Sequence, residues 1–562
     1  MMFLKARRFS RTRTAAAGLA AVAMLATACG GSSAQSDANK ATLVLPGPAG
    51  DFQINFNPFS PTSLEGAGTI FEPLFFFNNI RDVEPRPRLG KTFKWNADGT
   101  QLDIELRDDV KWADGEKFTA QDVAFTLDMI TKNQAINGTG YKGTATAVDD
   151  THVTVKFAEP SYMDGPQVLG RIYIVPEHKW KDFGTPATEP VKEPVGTGPF
   201  MLEEFKAQAF TLKANPGYWG GEPAVKKVRY ISMSGNQATV DALKAGQIDW
   251  QTGPVPDIKN VEKNYPGYKA VTIPMNQVAL FTCSNAALGC QGPQTDVAVR
   301  KAIYYGMNRT QLNALAFENT ASEISPGAAL LERDKDQISG KLKEKTAPMQ
   351  PDTAKATQAL EAAGYTKGGD GIYQKDGKPL ALTLKVVAGW TDYITAVDTM
   401  TQQLQQVGIK ITAQQLSWNE WSDARGRGNY ELLIDSIYQG PAPDPFYNAS
   451  YFFSTSNTAK VGETAQPNFA RFSNPDVDAA LAALKGIDPE DDAARQPYLD
   501  TIQTKIEESI PYIPILTGGT TSEYNAKKFT GWPTKEDLYA FPALWGRPDA
   551  SEIIMKLKPA GQ

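Results

Sequence analysis

Histidine and cysteine are scarce in this chain of 562 residues, which contains two of the former and three of the latter. Chemistry that uses an imidazole as general base therefore has only His152 and His178 as candidates. We expect both to be strand or turn residues rather than ligands, and we predict no metal site and no cofactor.

Sequence motifs of the common enzyme classes are also missing. The chain has no G-x-S-x-G elbow, no G-x-x-x-x-G-K-[ST] phosphate loop and no H-E-x-x-H motif. The acidic runs at 149–150 and 490–492 lack the spacing of a calcium loop and are typical of solvated turns. We predict no catalytic residue. An exported hydrolase remains an alternative, because a carboxylate pair can come from distant segments.

Long apolar segments are absent beyond the N-terminus, where an apolar run spans residues 15–25. The basic residues that precede it are Lys5, Arg7, Arg8, Arg11 and Arg13. Because a membrane-spanning helix needs about twenty apolar residues, this short run with basic flanks predicts an export signal.

The apolar run ends in LATAC, which resembles a bacterial lipobox ending at Cys29. We therefore predict a lipoprotein signal peptide at 1–28 and lipidation of Cys29, with an ordinary cleaved or retained signal as the alternative. Residues 29–40 are rich in Gly, Ser and Ala and predict a flexible tether.

Basic residues do not outnumber acidic ones, since 57 Lys and Arg against 63 Asp and Glu give a net charge of −6. Removing 1–28 takes away five basic and no acidic residues, so the charge becomes −11. This balance argues against a nucleic-acid partner. With 41% hydrophobic residues, the chain has enough apolar material for two or three packed lobes.

Cys283 and Cys290 are close in sequence and lie in a chain with an export signal. Oxidation is favoured outside the cytoplasm, so we predict a local disulfide between them. Two unpaired buried thiols are the alternative.

Strand and helix patterns alternate along the chain. Apolar alternation around an Asn-Ala-Asp-Gly turn predicts a hairpin at 93–111, and a helix capped by Thr119 should follow. Strand–helix–strand order recurs at 225–250 and 380–416. A further strand at 431–439 runs into the loop YQGPAPDPFYN at 438–448. This order predicts an α/β protein.

Several segments together resemble the solute-binding proteins of bacterial peptide/nickel-type ABC importers, a family whose founding members bind di- and oligopeptides. The longest matching segment is PRLGKTFKWNADGTQLDIELRDDVKWADGEKFTAQDVAFTL. The shorter ones, in the family's order, are GTGPF, NPGYWGG, AGQID, VRKAI, GDGIY and VGIKI. The resemblance covers roughly residues 41 to 562.

The resemblance implies an α/β fold, a two-lobed clamp of periplasmic-binding-protein type II with an extra subdomain inserted in lobe one. The implied divisions are lobe I at 41–85, 196–278 and 509–562, the inserted subdomain at 86–195, and lobe II at 279–508. Such a clamp closes by hinge motion on a ligand buried between its lobes.

The loop at 438–448 bears on the ligand. In the family's peptide-binding members, an acidic residue three positions before an Asp/Glu-Pro pair meets the peptide's α-amino group. The pair here is Asp444-Pro445, and Pro441 stands where the acidic residue is expected. A buried ammonium without a partner costs several kcal/mol, so the usual amine anchor is missing. Asp435 or Asp444 can replace it only if the loop is rearranged.

Aromatic residues accumulate where the resemblance places the cleft, and flat rings beside polar groups suit stacking on sugar faces. Some members of the family bind oligosaccharides. The residues that we predict to contact the ligand are Asn57, Trp250, Trp390, Trp418, Trp421, Tyr438, Gln439, Gly440 and Thr517. Packing in the core or hinge is the alternative for each aromatic residue.

The resemblance predicts a monomeric, extracytoplasmic binding protein, anchored to the cell membrane through lipidated Cys29, that delivers its ligand to an ABC permease. An oligopeptide and an oligosaccharide remain open as ligands, and a nickel chelate is a third possibility. A role as a surface receptor or chaperone would use the same fold.

Overall fold

The structure is a computed structural model, and it describes residues 41–137, 140–465 and 467–561. The predicted signal peptide, Cys29 and the tether lie outside the described residues. No helix of the described chain is long and apolar enough to cross a membrane.

The strands alternate with helices along most of the described chain. In chain order the strands are β1 Thr42–Gly47, β2 Phe75–Phe76, β3 Arg86–Pro87, β4 Gly90–Trp95, β5 Gln101–Leu106, β6 Thr144–Ala147, β7 His152–Lys156, β8 Phe200–Lys206, β9 Ala209–Ala214, β10 Lys227–Ser232, β11 Trp250–Thr252, β12 Tyr268–Thr282, β13 Thr366–Lys367, β14 Tyr373–Lys375, β15 Lys378–Pro379, β16 Ala381–Val387, β17 Lys410–Leu416, β18 Leu432–Ile437, β19 Tyr512–Asn525, β20 Phe529–Thr530 and β21 Lys558–Pro559.

The α-helices vary from four to eighteen residues in length. In chain order they are α1 Ala67–Ile70, α2 Ala120–Lys132, α3 Gly165–Gly170, α4 Glu177–Trp180, α5 Asn236–Lys244, α6 Val261–Asn264, α7 Val297–Gly306, α8 Arg309–Ala316, α9 Thr353–Ala362, α10 Thr391–Gln406, α11 Trp418–Arg427, α12 Pro445–Phe453, α13 Pro475–Lys485, α14 Asp492–Ser509 and α15 Arg547–Lys556.

The first lobe is built on a four-stranded sheet of order β1-β10-β9-β8. A second four-stranded sheet, of order β4-β5-β7-β6, shares one buried apolar cluster with it. The predicted hairpin is confirmed, because β4 and β5 pair antiparallel. The predicted helix is also confirmed: Thr119 and Asp122 form a capping box at the start of α2.

The second lobe contains the parallel strands β16, β17 and β18. They belong to a six-stranded sheet of order β11-β19-β12-β18-β16-β17. The predicted strand–helix–strand unit is confirmed, since β16 and β17 pair in parallel and α10 connects them. Two buried apolar clusters fill this lobe, one on each side of the parallel strands.

The long antiparallel strands β12 and β19 run through both lobes. Residues 271–275 of β12 belong to the first lobe's apolar cluster, whereas Val278 and Leu280 belong to a second-lobe cluster. The pairing with β19 shifts register between Pro274 and Asn276, opposite Gly518 and Gly519. An irregular pairing with two adjacent glycines is the natural place for the lobes to bend relative to each other. The predicted lobe boundaries stay a prediction, because these strands belong to neither lobe alone.

A disulfide joins Cys283 and Cys290 just after β12, with their Cα atoms 5.4 Å apart. Both residues are buried beside Phe281 in the second lobe. The bridge therefore stiffens a local turn and does not connect the lobes.

Candidate functional site

The candidate site begins at one edge of the six-stranded sheet, where three neighbouring parallel strands end. β16 pairs in parallel with β17 on one side and with β18 on the other. The loops that follow these strands carry Trp390, Trp418 and Tyr438, which we call the aromatic edge. Parallel strands end at the same side of a sheet, and ligands of open α/β sheets bind at that side.

Trp390 and Trp418 pack with Trp421 as one group. The centroid of the Trp390 ring lies 5.6 Å from that of Trp418 and 5.5 Å from that of Trp421, and the last two are 5.4 Å apart. Trp421 is fully buried, and the Arg425 guanidinium lies 4.8 Å from its ring. Trp418 is 50% exposed. The group therefore presents one flat ring to solvent on a rigid base, which suits stacking on a ligand.

Tyr438 lies at the junction between the lobes. Its ring packs edge to face on Tyr451 at 5.7 Å, and the Arg171 guanidinium lies 5.9 Å from its centroid. The side chain is 37% exposed, yet burial raises the pKa of its hydroxyl. The ring therefore keeps an accessible part while it contacts residues of both lobes.

Two arginines hold the loop after Tyr438. Arg171, just after α3, donates to the carbonyl oxygen of Gly440 at 3.5 Å. Arg333 donates to the carbonyl oxygens of Asn79 and Gln439, both at 3.2 Å. Arg333 thus connects Asn79 of the first lobe with the loop.

The loop itself has a conformation that only glycine allows at position 440. Gly440 has a φ of +87°, and a Cβ there would lie 2.3 Å from the Cβ of Tyr447. The side-chain Nε2 of Gln439 donates to the carbonyl oxygen of Ile437 at 2.9 Å. Its Oε1 is buried and has no hydrogen-bond partner within the described residues.

The carboxylates near the loop are already paired with arginines. Asp444 accepts from the backbone N–H of Phe446 at the start of α12 and forms a buried ion pair with Arg495. Asp435 accepts from Arg425 at 2.6 Å. Neither carboxylate is available to replace the amine anchor that the sequence lacks.

Two of the predicted contact residues lie in the interior instead. Trp250 is 1% exposed, donates from Nε1 to Ser522 at 3.3 Å and packs on Trp532 at 5.6 Å. Trp421 is the buried base of the tryptophan group described above. Their rings are occupied by protein neighbours on all sides, so neither belongs to the ligand-contacting surface.

Two polar residues of the predicted set are likewise committed to the backbone. Asn57 is fully buried and donates to the carbonyl oxygens of Pro186 and Glu189 at 2.7 and 2.8 Å. Thr517 donates to the carbonyl oxygen of Glu323 at 2.8 Å. Both side chains bind backbone carbonyl oxygens of loops, so we exclude them from the residues that contact the ligand.

A cavity of about 290 Å³ lies beside the aromatic edge, and we call it the hinge cavity. Its floor includes Asn276 and Gly519 of the crossing strands. Residues 252–256 line it from one side, and Thr391, Asp392 and Thr395 from the other. The cavity also contains Trp545, which is 51% exposed.

Sequence reasoning missed Arg171, Arg333, Asp392 and Trp545 as site residues. No motif surrounds them, and each comes to the cleft from a segment that is distant in sequence from the loop it faces. Only Asp392 had a signal, because it follows Trp390 by two residues at the start of a predicted helix.

The family model for bacterial extracellular solute-binding proteins, family 5 middle, matches residues 84–460. The oligopeptide-binding protein AppA of Bacillus subtilis is 26% identical over 557 residues, which are 94% of this chain and 97% of AppA. The nickel-binding periplasmic protein of Escherichia coli is 24% identical over 481 residues, 82% of this chain and 86% of that protein.

Solved structures share the fold. A periplasmic oligopeptide-binding protein of Thermotoga maritima, with mannohexaose bound, has a TM-score of 0.82 at 22% identity, covering 93% of this chain and 99% of that one. AppA with a nonapeptide has a TM-score of 0.75 at 22% identity, covering 92% and 99%. The fold is thus the two-lobed α/β clamp of periplasmic binding proteins. The protein binds a solute and is not an enzyme: it belongs to family 5 of the bacterial extracellular solute-binding proteins.

Proposed function

We propose that this protein is the substrate-binding component of an ABC importer and that it captures an oligosaccharide between its lobes. The observation that carries the proposal is the aromatic edge, Trp390, Trp418 and Tyr438, at the carboxyl end of the parallel strands. Such rings pack on the C–H face of a sugar ring without needing a charged ligand. Gln439 and Gly440 complete the proposed contact set.

Buried acceptors around the same loop favour a ligand rich in hydroxyl groups. Gln167, Gln277 and Gln439 each use their amide nitrogen in a hydrogen bond within the protein. The Oε1 of each is buried without a partner among the described residues. Burying an acceptor without a donor costs about 1–3 kcal/mol, and sugar hydroxyls are donors that would offset this cost.

The carboxylates of the loop argue against a peptide whose free N-terminus is held at the family's usual place. Pro441 is buried at the place of the usual anchor, and Asp435 and Asp444 are paired with arginines. The mannohexaose-bound relative from Thermotoga maritima supports a sugar. A peptide is the second candidate because of the similarity to AppA over nearly the whole chain.

Delivery to a permease and anchoring through Cys29 complete the proposal. Cys29 follows the export signal, and two acyl chains at this position would hold the protein stably at the membrane. We propose that the protein acts as a monomer.

Calorimetric titration of the mature protein tests the ligand class. Manno-, cello-, xylo- and malto-oligosaccharides are compared with di- to hexapeptides, both free and N-acetylated. We expect an oligosaccharide to bind and free peptides not to bind. Tight binding of free peptides, lost on N-acetylation, would show that the ligand class is wrong.

Aromatic variants test the site. Trp418→Ala should weaken oligosaccharide binding about tenfold, because a stacked ring contributes about 0.5–1.5 kcal/mol beyond its buried area. Tyr438→Ala should act in the same direction. Tyr498→Ala is the matched control, because Tyr498 of α14 is also 37% exposed and lies on a helix that packs on α13. Equal ligand affinities of the three variants would show that the aromatic edge does not contact the ligand.

A further inference from the structure

The hinge cavity has a charge pattern that the proposed sugar site does not explain. Its charged lining residues are Asp392 and Glu318, and no lysine or arginine is among the lining residues. The other lining residues are a mixture of neutral polar and apolar ones, and Trp545 is exposed among them. The cavity is therefore acidic and carries one accessible aromatic ring.

Asp392 differs from the other enclosed carboxylates of the second lobe. Asp435 and Asp444 each have an arginine, whereas no described ion pair or side-chain hydrogen bond includes the carboxylate of Asp392. The backbone N–H of Tyr393 contributes a hydrogen bond, yet burial raises the pKa of Asp392 to about 6. A carboxylate in the first turn of a helix is common, but this half-buried one has no cation to offset its loss of hydration.

The second carboxylate is presented by a strained turn. Glu318 follows α8 with a φ of +50°, a left-handed conformation that glutamate rarely adopts. One of its oxygens accepts from the backbone N–H of Ile258 at 3.3 Å. The turn fixes Glu318 at the cavity between the segment at 252–258 and α10.

Trp545 supplies the third element. Its ring is packed edge to face on Phe541 at 5.3 Å and is 51% exposed. A cation over an indole face is stabilised electrostatically, and more so where water is partly excluded. Two carboxylates and an open indole make a site for an organic cation.

We propose that the hinge cavity binds a protonated amino group of the ligand through Asp392, Glu318 and Trp545. This inference rests on the proposed function and narrows it: the preferred oligosaccharide carries free amino groups. Asp392 is only two residues from Trp390 of the aromatic edge, so one ligand can stack on the edge and place its ammonium in the cavity.

A bare metal ion fits the cavity less well. Calcium takes six to eight oxygen ligands, and the cavity offers two carboxylates. The described residues contain no group of three or more histidine, cysteine, aspartate and glutamate side chains placed to hold a metal.

The test compares three β-1,4-linked tetramers by calorimetric titration of the mature protein: glucosamine, N-acetylglucosamine and glucose. We expect the glucosamine tetramer to bind at least tenfold more tightly than the other two. Asp392→Asn keeps the shape of the side chain and should abolish this preference, so that the glucosamine tetramer binds no more tightly than the glucose tetramer. Asp398→Asn, an exposed aspartate of the same helix, is the matched control.

Trp545→Ala is the second variant and should reduce the preference for the amine severalfold. Equal binding of the three tetramers, or an unchanged preference in Asp392→Asn, would overturn the ammonium site and leave the oligosaccharide proposal standing. Failure of all three tetramers and of the neutral oligosaccharides, with binding of peptides, would overturn the proposed function and the inference together.

Discussion

The ion pair with Arg495 joins Asp444 of the proposed ligand loop to α14, and removing the pair separates a structural role of Asp444 from a binding role. Arg495 is 1% exposed and also donates to the carbonyl of Pro489 at 3.2 Å. Asp444→Asn would leave the guanidinium buried beside a neutral amide. Breaking one side of a buried pair costs about 3–5 kcal/mol, so we expect the free energy of unfolding to fall by about that amount.

Two further variants sharpen the expectation. Asp444→Ala also removes the oxygen that caps α12 and should cost about 1 kcal/mol more. The double variant Asp444→Ala, Arg495→Met removes both charges, so its loss should be much smaller than the sum of the single losses. Asp476→Ala is the control: this carboxylate is 60% exposed, and its ion pair with Lys505 at 3.4 Å contributes at most about 1 kcal/mol.

Urea unfolding of the ligand-free variants gives the free energies, and calorimetric titration gives the ligand affinities. We expect Asp444→Asn to retain the affinity of the folded protein within about threefold. A stability loss below about 1 kcal/mol together with a tenfold loss of affinity would show that Asp444 contacts the ligand.

Glu523 is buried, and burial raises its pKa to about 8 despite the hydrogen bond from Gln251. The folded protein therefore keeps a proton that the unfolded chain releases, so stability should fall by up to about 1.4 kcal/mol per pH unit between about pH 5 and 8. Glu523→Gln should flatten this part of the pH series of urea unfolding, and an unchanged slope would contradict the reasoning. Replacing Cys283 and Cys290 by serine should lower the free energy of unfolding by roughly 2–3 kcal/mol and leave ligand affinity unchanged in the same assays. Arg171→Ala should weaken ligand binding about tenfold and leave the ligand-saturated protein more open in small-angle scattering, whereas a compact, tightly binding variant would show that this arginine does not hold the cleft closed.

Local patterns were sufficient to predict the parts of the fold that are local. The hairpin at 93–111, the cap at Thr119 and the strand–helix–strand unit at 380–416 depend on neighbours within a few tens of residues, and all three are confirmed. The positions of Trp390, Trp418 and Tyr438 after strand ends were predictable for the same reason, because the end of a strand is marked by local sequence.

Burial decided by distant partners could not be predicted. Trp250 and Trp418 are both predicted from the sequence to contact the ligand. Trp250, however, is buried against Ser522 and Trp532, which are distant from it in sequence. Asp392 likewise lines one cavity together with Glu318, which comes from another segment of the chain. No local sequence pattern indicates that Trp250 packs on Trp532 or that Asp392 and Glu318 line one cavity.

Strand β19 joins the interior of the six-stranded sheet from a late part of the sequence, which bears on how this sheet folds. This strand lies between β11 and β12, yet it follows both of them by more than two hundred residues in sequence. The pairs that β19 forms are long-range in sequence: Trp250 pairs with Tyr524, and Phe281 pairs with Tyr512. The six-stranded sheet therefore cannot be completed before β19 is present. Because the sheet depends on strand pairs of high sequence separation, its formation should be slow compared with that of the local hairpins and strand–helix–strand units.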